Sequence, residues 1–245
     1  MRPTQLLIFF IGAREMKKTL LAVAIASALL PNFAFAEEGD WVVRLRAVSV
    51  SPNESSKLGQ TVNKNVGAGT MTSSADLKVD DNVIPELDFS YYITKNIAAE
   101  LILALGTKHD VKVRGDALTT VGDQNLGEVN LLPPTLTLQW HFRPDQTFDP
   151  YIGAGVNYTH MLDRNLKFSR NALAGTKIKI DSDSWGLVAQ AGFDVNLKDG
   201  WLINADVKYV QIDTDVKAKL ASGWTKIDSL DINPWVIGIG IGKRF

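Results

Sequence analysis

The stretch that decides the fold is WVIGIGIGKRF, residues 235–245. Trp235, Ile237, Ile239 and Ile241 fall on one face, and Val236, Gly238, Gly240 and Gly242 on the other. A period of two is the signature of a strand. Glycines on alternate residues ahead of Lys243 also resemble a phosphate loop, but such a loop stands between a strand and a helix. Only Arg244 and Phe245 follow Lys243, so the nucleotide reading lacks its context.

The same alternation recurs through the chain. It is present in WVVRLRAV (41–48), ELDFSYYI (86–93), NIAAELILAL (96–105) and PTLTLQWHF (134–142). It returns in YIGAGVNY (151–158), WGLVAQAGFDV (185–195) and WLINADVKY (201–209). With 235–245, these make eight strands. In each, one face is uniformly apolar, while the other mixes Gly and Thr with charges of both signs, a lining suited to the tight interior of a small barrel. The connections alternate in length. Those near 94–96, 143–149 and 197–200 are tight, whereas 51–82, 113–130, 163–182 and 215–229 are long and polar. Short turns at one end and long loops at the other characterise barrels of the outer membrane.

Aromatic residues gather at both ends of the apolar face. Trp41, Tyr91, Trp140, Phe142, Phe193, Trp201 and Phe245 lie toward the short turns, and Tyr158, Trp185, Tyr209 and Trp235 toward the long loops. From Trp201 to Tyr209 a strand rises about 27 Å, or roughly 20 Å along the membrane normal at a tilt of about 40°. The sequence therefore predicts an all-β fold, an eight-stranded antiparallel transmembrane β-barrel of the outer-membrane type. A soluble lipocalin-like binder also has eight strands, but two aromatic girdles argue against the apolar face being its core.

The leader fits this reading. MKKTLLAVAIASALLPNFAFA, residues 16–36, has a basic start, an apolar run and a small-x-small end, as a secretory signal peptide does. Residues 1–36 are expected to be leader, with 1–15 an upstream extension, and 37–245 a single barrel domain. The formal net charge of −1 offers no nucleic-acid footprint. Cysteine is absent, so no disulfide braces the exported chain. His109, His141 and His160 lie far apart, without a second histidine or a cysteine at ligand spacing. No metal, cofactor or catalytic set is therefore expected, and the protein is not read as an enzyme.

NIAAEL (96–101), PPTLTLQW (133–140), PYIGAGVNYT (150–159), DSWGLVAQAGFD (183–194) and NPWVIGIGIGKRF (233–245), in this order, resemble the outer membrane protein W family, OmpW with its AlkL branch. The resemblance covers nearly all of the mature sequence. It implies an eight-stranded barrel in the bacterial outer membrane that passes small hydrophobic compounds from a funnel at the loops through a side opening into the membrane. Outer-membrane lipids and small hydrophobic solutes are the implied partners. The last strand, ending in Phe245, is expected to engage the barrel-assembly machinery.

Several residues are candidates for that route. Pro133 and Pro134 remove two consecutive ladder donors where the fourth strand leaves its loop, so they either breach the wall or belong to the loop. Arg44, Glu100, Asp194, Asp206 and Arg244, with His141, face inward near the short turns and are expected to pair as a periplasmic charge plug. Val48, Val50, Ile102, Ala104, Val188, Val210, Ile232 and Val236, with Thr135 and Asn157, face inward near the long loops. They either line a solute path or pack on one another. Lys208 stands on this path where some members of the family carry a tryptophan constriction, and Asp206, Glu86 and Asp88 are its candidate partners. Lys243 is a second departure, a lysine in the lipid-facing row of the last strand. Two functions remain open: a channel for hydrophobic solutes, or a structural barrel with a filled lumen and partner-binding loops.

Overall fold

The computed structural model describes residues 36–104, 107–116, 121–163, 166–170 and 173–245. The expected signal peptide, but for Ala36, lies outside them. Eight staves form the barrel: β1 (Trp41–Ser51), β3 (Asn82–Thr94), β4 (Ile97–Ala104), β7 (Thr135–His141), β8 (Phe148–Asp163), β11 (Asp183–Asn196), β12 (Trp201–Val210) and β15 (Trp235–Arg244). They pair antiparallel in that order around the ring, and β15 returns to β1 with Leu45 opposite Ile241. At the lower rim Phe245 N–H donates to Trp41 O at 2.8 Å, and Trp41 N–H donates back to Phe245 O at 3.1 Å. The first and last staves are thus tied beside the short turns, closing the ring of eight as a membrane requires.

The apolar faces point outward. Ile239 is 64% exposed and Trp185 69%, and Leu136, Leu138, Ile237 and Ile241 belong to the same surface. Girdle aromatics meet across strands: Trp41 with Tyr91 at 5.1 Å near the turns, Tyr158 with Trp185 at 4.8 Å and Tyr209 with Trp235 at 5.0 Å near the loops. Lys243, in the lipid-facing row, lies over the Trp201 ring at 5.4 Å and bonds to Asp199 O, so its charge is held at the interface.

The inward glycines are needed for a reason more local than lumen width. A Cβ on Gly155 would lie 2.0 Å from Leu136 O, and one on Gly240 would lie 2.2 Å from Leu45 O. The collision is with the backbone of the adjoining stave. These strands approach so closely that no side chain fits between them.

The sequence predicts polar loops for the four long connections, but each of them contains strand. β2 (Asp76–Val79), β5 (Thr107–Arg114) and β6 (Gln124–Leu132) extend the barrel sheet upward. β9 (Leu166–Lys167), β10 (Lys177–Ile180), β13 (Asp213–Leu220) and β14 (Gly223–Asp231) form a second, four-stranded sheet. Their inward positions, such as Leu77, Val111, Ile178, Ile180 and Val216, pack into one apolar cluster with Val48 and Val236. The first connection also forms a helix, α1 (Leu58–Asn65), whose Leu58 and Val62, one turn apart, enter that cluster.

Asp228 fastens α1 to β14. Its carboxylate accepts bonds from Ser56 Oγ at 2.5 Å and from the Lys57 N–H at 3.0 Å. Burial pushes its pKa above the ordinary 3.8, although these donors pull the other way. The stability this shift contributes is full below pH 3.8 and is lost as pH rises through the raised value. Exchange protection of the Lys57 and Leu58 amides, corrected for intrinsic rates, is expected to fall across that window and to stay level in Asp228→Asn. Separately, Gly240→Val is expected to cost about 1–3 kcal/mol or more, visible as loss of the heat-modifiable folded band in gel electrophoresis.

Candidate functional site: a charged lower lumen beneath an apolar cavity

Inside the lower barrel, charge is packed across the lumen between staves. Arg44 and Arg46 stand two residues apart on β1 and so share its inner face. Arg44 pairs with Asp194 at 2.6 Å and Glu100 at 3.0 Å. Arg46 reaches Asp88 and Asp206 at 2.5 Å each, Glu100 at 3.1 Å and Glu86 at 3.2 Å. Glu100 is the hub: Oε1 accepts from Arg44, Arg46 and Ser90, and Oε2 accepts from Gln139 at 2.7 Å and Gln190 at 3.0 Å. Both arginines, Glu100 and Asp194 are fully buried. Charges removed from water in this way persist only when paired and hydrogen-bonded.

Of the residues predicted for the plug, Arg44, Glu100, Asp194 and Asp206 meet in this network. Arg244 is buried at the rim, its guanidinium 5.4 Å above the Tyr92 ring and 4.0 Å from Asp40. Arg46, Asp88 and Glu86, which complete the network, were missed as plug residues. The two-residue spacing Arg44/Arg46 and Glu86/Asp88 was the available signal. Lys208 takes two of its three candidate partners, Glu86 at 2.7 Å and Asp206 at 3.1 Å. The fold also gathers His141, Asp149 and Asp194, with ligand atoms within 4.8 Å of one another. Spacing along the chain could not reveal that, because three staves supply them. The cluster is already occupied by its own bonds, His141 Nδ1 lying 2.7 Å from Asp149 and Asp194 engaging Arg44.

Above Lys208 the lining changes character. A cavity of about 90 Å³ begins at Lys208 and Glu86. Val48, Val50, Ile102, Ala104, Val210, Ile232 and Val236 line it, as do Thr135 and Asn157. Val188 is buried in the same apolar cluster but does not line the cavity. The upper walls come from the loop strands through Leu77, Val79, Val111, Val129, Ile180 and Leu230. These were overlooked because lysines and aspartates between them made the segments read as polar. KIKI and DVKA nonetheless alternate as strictly as the staves.

Pro133 and Pro134 lie between β6 and β7, and Pro133 lines the cavity. The β4–β7 ladder ends at Ile102 opposite Thr135, and the β5–β6 ladder begins at Thr107 opposite Leu131. Among the described residues, no rung joins Leu103 and Ala104 to Leu132, Pro133 and Pro134. Both sides of this gap are tied elsewhere: Leu103 and Ala104 to β3, and Pro134 O to the Tyr158 N–H at 3.0 Å.

A closed antiparallel barrel of eight staves, apolar outside between aromatic girdles and charge-filled within, is an integral protein of the bacterial outer membrane. The OmpW family model matches residues 37–245, and the chain belongs to the OmpW family. It is 36% identical over 232 residues to outer membrane protein W of Vibrio cholerae, covering 94% of this chain and 100% of that one. It is 28% identical over 234 residues to the dibenzothiophene metabolism operon protein PahQ of Pseudomonas aeruginosa, covering 94% and 100%. Among solved structures, the outer membrane protein OprG of Pseudomonas aeruginosa superposes with a TM-score of 0.74 at 33% identity, covering 87% of this chain and 99% of that one.

The network yields a graded stability prediction. Arg46→Met leaves Asp88 without its cation and is expected to cost about 3–5 kcal/mol. Lys208→Met leaves Glu86 and Asp206 still facing Arg46 and is expected to cost less than half of that. Urea unfolding of the barrel in lipid vesicles, followed by tryptophan fluorescence, checks the order.

Proposed function

We propose that this protein is a passive outer-membrane channel for small hydrophobic molecules. A solute enters through the extracellular funnel formed by the loop strands and occupies the apolar cavity. It leaves sideways into the membrane between β4 and β7 at Pro133 and Pro134. The observation that carries this reading is the position of the missing rungs beside the cavity and above the charge network. An apolar guest loses little hydration on entering such a lining, while the paired charges below would have to be broken to let it through. A relative named for a dibenzothiophene metabolism operon supports the solute class, since dibenzothiophene is a small apolar heteroaromatic. The aromatic end of β15, Phe245, is the proposed recognition point for the barrel-assembly machinery.

Expression in a host lacking its own version is expected to speed uptake of a medium-chain alkane or fatty-acid ester over an empty-vector control. The variant Leu103→Cys/Pro134→Cys, one position past the last rung Ile102–Thr135, is meant to staple the gap, with the disulfide verified by loss of free thiol before uptake is measured. Oxidised, it is expected to fall to the control rate while keeping its heat-modifiable band, and reduction is expected to restore uptake. Equal rates in both states would overturn the lateral route. Correct insertion with no uptake by the unmodified protein would favour the structural barrel with partner-binding loops.

A further inference from the structure

The outer face of the four-stranded loop sheet carries chemistry that the solute path does not use. Its inner face, with Leu166, Ile178, Val216 and Leu230, packs into the apolar cluster. On the outer face Lys167 stands opposite Lys177, Lys179 opposite Lys217, and Lys217 opposite Lys226. Beside them Lys219 stands opposite Trp224, whose indole is 43% exposed. Like charges set directly opposite each other weaken a sheet, so these pairs work against the strands that carry them.

Carboxylates offset only part of that charge. Asp181 takes Lys217 and Asp215 takes Lys226, each at 2.6 Å. Among the described residues, Lys167, Lys177, Lys179 and Lys219 have no carboxylate within ion-pair distance. Two of them hold the indole: the Lys179 and Lys219 ammonium groups lie 4.9 and 5.7 Å from the Trp224 ring centroid. The charge is also graded along the face. Asp213 stands opposite Asp231 at the membrane end, and the lysines and Trp224 occupy the far end.

We propose that this face docks the phosphorylated core saccharide of the surrounding outer leaflet. Trp224 offers exposed apolar surface to a sugar ring, and Lys167, Lys177, Lys179 and Lys219, none of them neutralised by a carboxylate among the described residues, supply ammonium groups for phosphate. Position agrees with this occupant. β13 follows β12 beyond Tyr209 of the upper girdle, after a break at Gln211 and Ile212, so Lys217 and Lys219 stand on the loop side of that girdle, beyond the acyl chains. A protein partner would need an apolar interface centre, and Trp224 is the single large apolar side chain exposed on this part of the sheet among the described residues.

The test uses the full-length barrel in zwitterionic micelles. The probe is the deacylated, phosphorylated inner-core oligosaccharide of lipopolysaccharide, with tryptophan fluorescence and calorimetry as readouts. Saturable binding that weakens with added salt is expected. Lys177→Glu/Lys179→Glu/Lys219→Glu, Trp224→Ala and removal of the phosphates from the probe are each expected to weaken it at least about tenfold. Solute uptake by the variants is expected to be unchanged, which separates this proposal from the channel reading. If the charge reversal prevents insertion, Lys177→Gln/Lys179→Gln/Lys219→Gln carries the same test. The proposal is overturned if the protein leaves the oligosaccharide unbound, if the variants or the dephosphorylated probe bind equally well, or if only an acidic polypeptide such as polyglutamate binds.

Discussion

The lower half of this barrel depends on one carboxylate. Glu100 on β4 receives both arginines of β1 and the amides of Gln139 and Gln190, so its two oxygens link the inner faces of β1, β4, β7 and β11. A narrow lumen allows no other solution. Once Arg44 and Arg46 point inward they leave water entirely, and only carboxylates from facing staves can replace it. Asp88, Asp194 and Asp206 complete that replacement from β3, β11 and β12.

The same network sets the geometry above it. Lys208 and Glu86 form its upper layer and the floor of the cavity in one pair. The lumen beyond them becomes apolar because the inward positions of β1, β12 and β15 change to valine. A floor of interlocked ion pairs and a wall lacking rungs beside the cavity lie close together. That arrangement makes a sideways exit the lower-cost direction in the channel reading, since moving between strands at a proline pair breaks no buried charge.

The loop strands give the barrel a second, extramembrane layer. Their inward residues extend the apolar lining, and Asp228 locks α1 against β14. Their outward residues are free to carry surface chemistry because the inner face alone secures the fold. The lysine and tryptophan face is built on that division.

The sequence by itself determined the barrel. A period of two through WVIGIGIGKRF and seven companions, aromatics at both ends and alternating loop lengths sufficed, because lipid on one side and a tight lumen on the other constrain every residue of a stave. It also placed Arg44, Glu100, Asp194 and Asp206 on the inner face, since side-chain direction follows from parity alone. Partner choice was beyond it. Which carboxylate meets Arg46, and that Lys208 takes Glu86 and leaves Asp88, depends on stagger between staves distant in sequence. The strands within the loops were legible in principle, yet lysines alternating with isoleucine and valine resemble solvated loop until a second sheet is there to bury one face. Only tertiary structure decided that Val188 does not line the cavity and that the β4–β7 ladder stops at Ile102. Both depend on where neighbouring strands end, and no single segment encodes that.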